Sequence, residues 1–171
     1  SNSAELLVGC QPIYTVEASL GFPPSGEGYT VVTGTQPTIL NIVTPTSACL
    51  IPKAYPGAPI QSGNFNYDAY SFTQGVRGSC VSITLTGDEA QIFGSAYSPS
   101  YDSGNLEPGY LGDAGVFVSS VTFSVFVPAN TPLVVVINDV DDNTPDVDYT
   151  ISVSGLSCYA GSPTAPCPLG L

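Results

Sequence analysis

The sequence contains no histidine, and only two of its 171 residues, Lys53 and Arg77, are basic. Fourteen acidic residues bring the net charge to −12. With so few cations the chain cannot neutralise phosphate groups, which excludes nucleic acid as a partner and makes an anionic membrane surface repulsive. Without histidine, no Ser-His-Asp or Cys-His catalytic arrangement can be built. We therefore predict no catalytic residues and no required cofactor.

Long hydrophobic runs are also missing. The longest, such as residues 133–137, are far shorter than the roughly 20 residues that a membrane-spanning helix needs. Methionine is absent even at position 1, which is most simply explained by removal of a signal peptide. Because only 9% of the residues are charged, uncharged polar side chains must cover most of the surface. We expect a secreted protein of the bacterial kind, extracellular or on the cell surface, without membrane insertion.

What the sequence does contain is the alternation of apolar and polar residues that is typical of β-strands. Residues 80–87, 120–128 and 149–155 each show one apolar face, and 133–139 is apolar on both faces, as in a central strand. Less regular strand-like stretches are 13–20, 29–34, 38–43, 68–74 and 91–97. About nine strands between Gly, Pro, Asn and Asp turns predict an all-β fold, an antiparallel β-sandwich or jelly roll without substantial helix.

Proline and glycine mark the expected boundaries within the chain. Residues 44–63 form a Pro/Gly-rich connection, and the end of the sequence is rich in proline. We divide the chain into an N-terminal strand-bearing extension (1–32), a β-sandwich domain (33–157) and a Pro-rich C-terminal tail (158–171).

From about residue 33 the order of elements resembles the bacterial pre-peptidase C-terminal (PPC) domain family. The resemblance rests on six segments: SACLIPKAYPG (47–57), YDAYSFTQ (67–74), SCVSITLTG (79–87), FGSAYSPSYDSGNLEPGYLGDAG (93–115), FSVFVPANTPLVVVINDV (123–140) and YTISVSG (149–155). It implies a β-sandwich attached to secreted proteins that is not itself catalytic. Many members carry a second cysteine where this chain has Tyr55, so the family's disulfide pattern does not transfer.

Five cysteines, with no zinc-binding spacing, are read as disulfides in an exported chain. We predict a bond between Cys49 and Cys80, which lie within the PPC-like region and flank the Pro-rich connection and the following strand. We also pair Cys158 with Cys167, across the tail. Cys10 is then left over for a bond to another chain.

Five aspartates crowd the stretch NDVDDNTPDVD: Asp139, Asp141, Asp142, Asp146 and Asp148. The spacing is not that of an EF-hand, because Thr144-Pro145 replaces the glycine turn and position 150 is threonine. Strand-like residues on both sides make the cluster the expected turn of the last hairpin. Two interpretations stay open, a solvated turn and a calcium site that relieves the repulsion between like charges.

Three tyrosines, Tyr97, Tyr101 and Tyr110, lie in or beside a long loop that also carries carboxylates. Such rings and carboxylates suit contacts with sugars. The alternative is that the loop folds over the sandwich with the rings packed beneath it.

Two functions follow. The first is a structural subunit that forms a homopolymer, an extracellular fibre or surface layer, by adding an N-terminal strand to a neighbouring copy. The candidate assembly residues are apolar side chains of the extension: Leu6, Leu7, Val8, Ile13, Val16 and Leu20. The second is an accessory module of a larger secreted enzyme that binds polysaccharide or protein.

Overall fold

The computed structural model describes residues 13–87, 91–117, 119–141 and 146–158. These residues form nine strands in two antiparallel sheets. The predicted all-β sandwich is therefore confirmed. No helix occurs in these ranges, and so none that could span a membrane.

The first sheet has four strands in the order β1-β9-β4-β7. Their bounds are Ile13–Ser19 (β1), Asp148–Ser154 (β9), Ser79–Gly87 (β4) and Ser120–Val127 (β7). The alternation seen in the sequence appears here as burial: Val81, Ile83 and Leu85 point into the core, and the intervening Ser and Thr residues point away from it.

The second sheet has five strands in the order β2-β3-β8-β5-β6. Their bounds are Tyr29–Gln36 (β2), Phe65–Thr73 (β3), Pro132–Asp139 (β8), Ile92–Tyr97 (β5) and Tyr110–Asp113 (β6). β8 lies in the centre of this sheet, as predicted. It is apolar on both faces because its inner face packs in the core and its outer face is covered by loops.

The acidic stretch is not the turn of a hairpin. β8 pairs with β3 and β5 in one sheet, whereas β9 pairs with β1 and β4 in the other. The chain therefore crosses between the sheets after β8. Val140 and Val147 are buried on either side of the crossing and anchor it in the core.

Two other strand assignments change. Residues 38–43 are not a strand; Ile39 and Leu40 are apolar because they cover the core, and a single bridge joins Ile39 to Ile60. β6, a strand of four residues, was not predicted.

The expected boundary between residues 32 and 33 falls within β2, so the described part of the extension belongs to the two sheets themselves.

Candidate functional site

An open groove lies between the Pro/Gly-rich connection and the loop that joins β5 to β6. Its volume is about 410 Å³. We call it the loop groove, and its lining residues are Thr38, Tyr55, Gly57, Ala58, Pro59, Gly104, Asn105, Leu106 and Glu107. A volume of this size is in the range of small-ligand sites, about 300–1,000 Å³.

One wall of the groove is shaped by turns in the 98–109 loop. The Ser98 amide donates to the Gly109 carbonyl at 2.9 Å, and the Asn105 amide donates to the Asp102 carbonyl at 3.1 Å. Gly109 has φ +78°, and a Cβ there would lie 3.0 Å from two carbonyl oxygens, so only glycine fits. These turns place Asn105 and Glu107 on the exposed side of the loop, with Leu106 buried beneath them.

The opposite wall carries Tyr55, which is half-buried. Its ring meets the ring of Tyr110 edge to face, with centroids 5.6 Å apart. Tyr110 in turn meets Tyr97 at 6.0 Å, and Tyr97 meets Tyr101 at 4.8 Å. These successive ring contacts support Tyr55 on the side away from the groove. Each ring pair stabilises the fold by about 0.5–1.5 kcal/mol beyond the contribution of its buried area.

The lining of the groove is part polar and part apolar, and it has no positive charge. Burial raises the pKa of the Tyr55 hydroxyl, and the nearby Glu107 carboxylate raises it further, so Tyr55 stays protonated and can donate a hydrogen bond. Among the residues that line the groove, Glu107 is the one carboxylate, and neither basic residue of the chain is present.

The three tyrosines predicted to contact sugars differ in how far they are buried. Tyr97 is fully buried and donates to the Leu106 carbonyl at 2.9 Å, so it cannot reach a ligand. Tyr101 and Tyr110 are half-buried, and desolvation raises their pKa values and that of Tyr97. The loop thus covers Tyr97, as the alternative interpretation expects, whereas contact of Tyr101 and Tyr110 with a sugar stays a prediction. Sequence reasoning missed Tyr55, because it lies in a segment that reads as a connection.

The acidic residues are spread rather than gathered. Asp139 is buried at the end of β8, where it accepts a hydrogen bond from Asn66 at 3.2 Å, whereas Asp141, Asp146 and Asp148 are exposed. Asp142 lies outside the described residues. Within the described ranges, no three His, Cys, Asp or Glu side chains come together as metal ligands.

The predicted bond between Cys49 and Cys80 is confirmed, with sulfur atoms 2.01 Å apart. It ties the Pro-rich connection to β4. Cys158 is also disulfide-bonded. Its predicted partner Cys167, like Cys10, lies outside the described residues.

The predicted assembly strand is partly accounted for. Residues 13–19 pair with β9 of the same chain, and Val16 and Leu20 are buried in the chain's own core, with 3% of each exposed. The structure thus shows β1 added to the sheet of its own chain, where its backbone is paired and these two side chains are buried, and not to a neighbouring copy. Ile13 is 64% exposed, and Leu6, Leu7 and Val8 lie outside the described residues.

A second depression, of about 490 Å³, lies at the rim of the four-stranded sheet. It contains the exposed ring of Phe22 and the side chains of Glu17 and Asp148, and Ser19 Oγ donates to Asp148 there. Tyr149 also lines this depression, and its ring meets the ring of Tyr70 edge to face with centroids 6.5 Å apart.

No family model and no curated protein matches the chain. Among solved structures it is similar to the K1 cleaved adhesin domain of Lys-gingipain from Porphyromonas gingivalis W83, with a TM-score of 0.36 and 11% identity over 86% of this chain and 99% of that one. A family 35 carbohydrate-binding module from Paenibacillus barcinonensis matches with a TM-score of 0.29 and 12% identity over 82% and 97%.

A third match is the enzymatically active domain of tailspike protein 4 of bacteriophage CBA120, with a TM-score of 0.35 and 9% identity over 85% of this chain. The chain spans 19% of that structure's length. TM-scores this low carry no argument about function, which has to come from the residues of this chain.

Proposed function

We propose that the protein is a non-catalytic, secreted binding module that holds a neutral polysaccharide in the loop groove. The observation that carries the proposal is the position of Tyr55, fixed from below by Tyr110 and faced across the groove by Asn105 and Glu107. The C–H face of a sugar ring packs on an aromatic ring, and its hydroxyls hydrogen-bond to amide and carboxylate groups.

Charge favours a neutral sugar over an acidic one. The chain carries a net charge of −12, and the lining of the groove has one carboxylate and no cation. An acidic polysaccharide would be repelled, most strongly at low salt. The single carboxylate of the lining also argues against glycoside hydrolysis, which uses a pair of carboxyl groups.

Affinity electrophoresis tests this proposal. The protein would be run in native gels that contain soluble xylan, mannan, mixed-linkage glucan, starch or, as the acidic comparison, alginate. We expect retardation by at least one neutral polymer and none by alginate. Tyr55→Ala should weaken binding about tenfold, which corresponds to about 1.4 kcal/mol.

The matched control is Phe22→Ala, which removes an exposed ring in the other depression. It should bind as the unchanged protein does. Absence of retardation in every gel, or equal weakening by both variants with both folded, would contradict binding in the loop groove.

The self-assembling subunit is the second candidate, supported by the position of β1. β1 is the edge strand of its sheet and pairs with β9 alone. The same strand from a neighbouring copy could make the same contacts, as in domain swapping. Sedimentation velocity and negative-stain electron microscopy of native material test this candidate, and a monomer over the whole concentration range would rule it out.

A further inference from the structure

The one lysine of the chain is buried against an aspartate. Lys53 Nζ lies 2.6 Å from Asp113 Oδ1, and only 7% of the lysine side chain and none of the aspartate side chain is exposed. Lys53 also donates to the Val43 carbonyl oxygen. Lysine is among the residues that are almost never fully buried unless paired, and here the partner is Asp113.

Every part of the Asp113 carboxyl group is held in place. The Gly115 amide donates to Oδ1 at 2.8 Å, and the Tyr110 hydroxyl donates to Oδ2 at 2.5 Å. The backbone is fixed as well, because the Asp113 amide donates to Ser47 Oγ at 2.8 Å and the Ser47 amide donates to the Asp113 carbonyl at 3.0 Å. The amine and the carboxyl therefore face each other in a fixed geometry with little access for water.

A buried ion pair is an expensive way to join two segments. Removing both charges from water carries a desolvation cost, which their attraction offsets only when the geometry and further hydrogen bonds are favourable. An amide between the same two groups carries no charge and avoids this cost. Groups held in contact also react as if at very high concentration, with effective molarities that reach about 10⁵–10⁸ M.

We propose that Lys53 and Asp113 form an intramolecular isopeptide bond, an amide between Lys53 Nζ and Asp113 Cγ. This modification is independent of ligand binding in the loop groove. It would join the Pro-rich connection to β6, 60 positions further along the chain.

The reaction balances without a further reactant. The ammonium and the carboxylate give an amide and one water molecule: the Nζ–Cγ bond forms, one Cγ–O bond breaks, and two of the three ammonium protons leave with that oxygen. Oδ1, which accepts from the Gly115 amide, stays as the amide oxygen, and the same amide stabilises the negative charge that develops on it. Oδ2 leaves as water.

Tyr110 is placed to assist the leaving oxygen. Its hydroxyl donates to Oδ2, and burial, followed by the hydrogen bond and charge of Asp113, raises the Tyr110 pKa, so the hydroxyl is protonated. It can pass its proton to Oδ2 only as the amine loses one, so that no tyrosinate accumulates and both protons of the leaving water come in net from Nζ. After reaction, the remaining N–H of the new amide can donate to the Val43 carbonyl, as the amine did.

The bond would complete a double attachment of one segment. Cys49 is bonded to Cys80 on β4 in the four-stranded sheet, and Lys53 would be bonded to Asp113 on β6 in the five-stranded sheet. The connection would then be covalently tied to both layers of the sandwich. Such a link restricts the unfolded chain and should resist heat and proteolysis outside the cell.

Trypsin gives a direct test, because the chain has two cleavage sites, after Lys53 and after Arg77. The full chain would be reduced, alkylated, denatured and digested. An acylated Lys53 is not cleaved, and the amide would hold residues 1–77 and 78–171 together as one branched species. We expect this species, and an intact mass lower than that of the alkylated sequence by one water molecule.

Lys53→Arg is the matched control, since arginine keeps the charge and the cleavage site but cannot form the amide. It should have the full sequence mass and give three fragments, 1–53, 54–77 and 78–171. Loss of water elsewhere, such as succinimide formation at another aspartate, would persist in this variant and would not join fragments. Three fragments and full mass from the unchanged protein would overturn the proposal, whether or not the variant folds.

Tyr110→Phe tests the proton donor. We expect a mixture of linked and unlinked chains shortly after synthesis, with the linked fraction rising over time. Tyr101→Phe, which removes a hydroxyl that donates to Gln36 instead, should be fully linked. Complete linkage of both variants at the first time point would overturn the role given to Tyr110.

Discussion

The Tyr149 hydroxyl donates a hydrogen bond of 2.6 Å to Asp68 Oδ2 across the interior of the sandwich. Tyr149 lies on β9 of one sheet and Asp68 on β3 of the other, so this bond joins the two layers. The Tyr70 hydroxyl lies 2.5 Å from that of Tyr149, and the Gly21 amide donates to both Asp68 oxygens at 3.2 and 3.3 Å. A buried carboxylate is thus supported by neutral donors rather than by a cation.

This arrangement makes stability depend on pH. Burial raises the Asp68 pKa above its ordinary value of 3.8, against the lowering effect of its hydrogen bonds. The folded state therefore holds the proton more tightly than the unfolded state. The contribution of Asp68 is fully present below pH 3.8 and is lost as the pH rises through the pKa of the folded state.

Asp68→Asn should remove that dependence. We expect the free energy of unfolding of the unchanged protein, minus that of the variant, to fall as pH rises from 3.8 and then to level off. Urea unfolding at a series of pH values measures it. Tyr149→Phe, which removes a donor to the carboxylate, should extend the fall to higher pH. Parallel curves for all three proteins would show that Asp68 does not titrate in this way.

The disulfide between Cys49 and Cys80 closes a loop with a sequence separation of 31. By the chain-entropy model such a crosslink is worth about 3.7 kcal/mol. Replacing both cysteines by serine should lower the melting temperature by roughly 10 °C in a domain of this size. Reduction of the unchanged protein should lower the melting temperature at least as much, because it also breaks the disulfide of Cys158. An unaltered melting curve for the double variant would contradict the prediction.

The alternation of apolar and polar residues was sufficient to predict the strands that have one buried face. Val81, Ile83 and Leu85 alternate with polar residues because one side of β4 faces the core and the other faces water. β6 could not be found in this way, because four residues are too few to show a period and its place is set by pairing with β5. Nor can local sequence tell whether consecutive strands share a sheet, which is why β8 and β9 were wrongly joined into a hairpin.

The candidate site was less predictable than the fold. The sequence drew attention to tyrosines such as Tyr97, but this ring is buried under a loop. Tyr55 and Glu107 come together from segments 52 positions apart, on opposite walls of the groove. The same is true of Lys53 and Asp113, whose contact depends on the position of β6. Pairs of this kind follow from tertiary structure and leave no periodic signal.

The arrangement of the aspartates leads to a prediction about calcium. With Asp139 buried and Asp141, Asp146 and Asp148 exposed, the described aspartates do not form a ligand set. We expect the melting temperature to be the same in excess EDTA and in millimolar calcium, because a ligand that does not bind the folded state cannot stabilise it. A rise in calcium that Asp141→Asn abolishes would restore the calcium site.

The last prediction concerns β1 and distinguishes a self-contained domain from an assembling one. Val16 is 3% exposed and lies opposite Ile151 of β9, whereas Ile13 on the same strand is 64% exposed. Val16→Ala should destabilise the protein by about 2 kcal/mol through lost burial and the cavity left behind. Ile13→Ala is the matched control on the same strand and should change stability by less than about 0.5 kcal/mol.

The dependence on protein concentration then decides where β1 docks. If β1 pairs within its own chain, the melting temperature of the unchanged protein is independent of concentration, and Val16→Ala lowers it equally at every concentration. If β1 inserts into a neighbouring copy, the melting temperature rises with concentration, and Val16→Ala releases monomers that sedimentation velocity would detect. We expect the first outcome, because Val16 and Leu20 already lie in the core of their own chain.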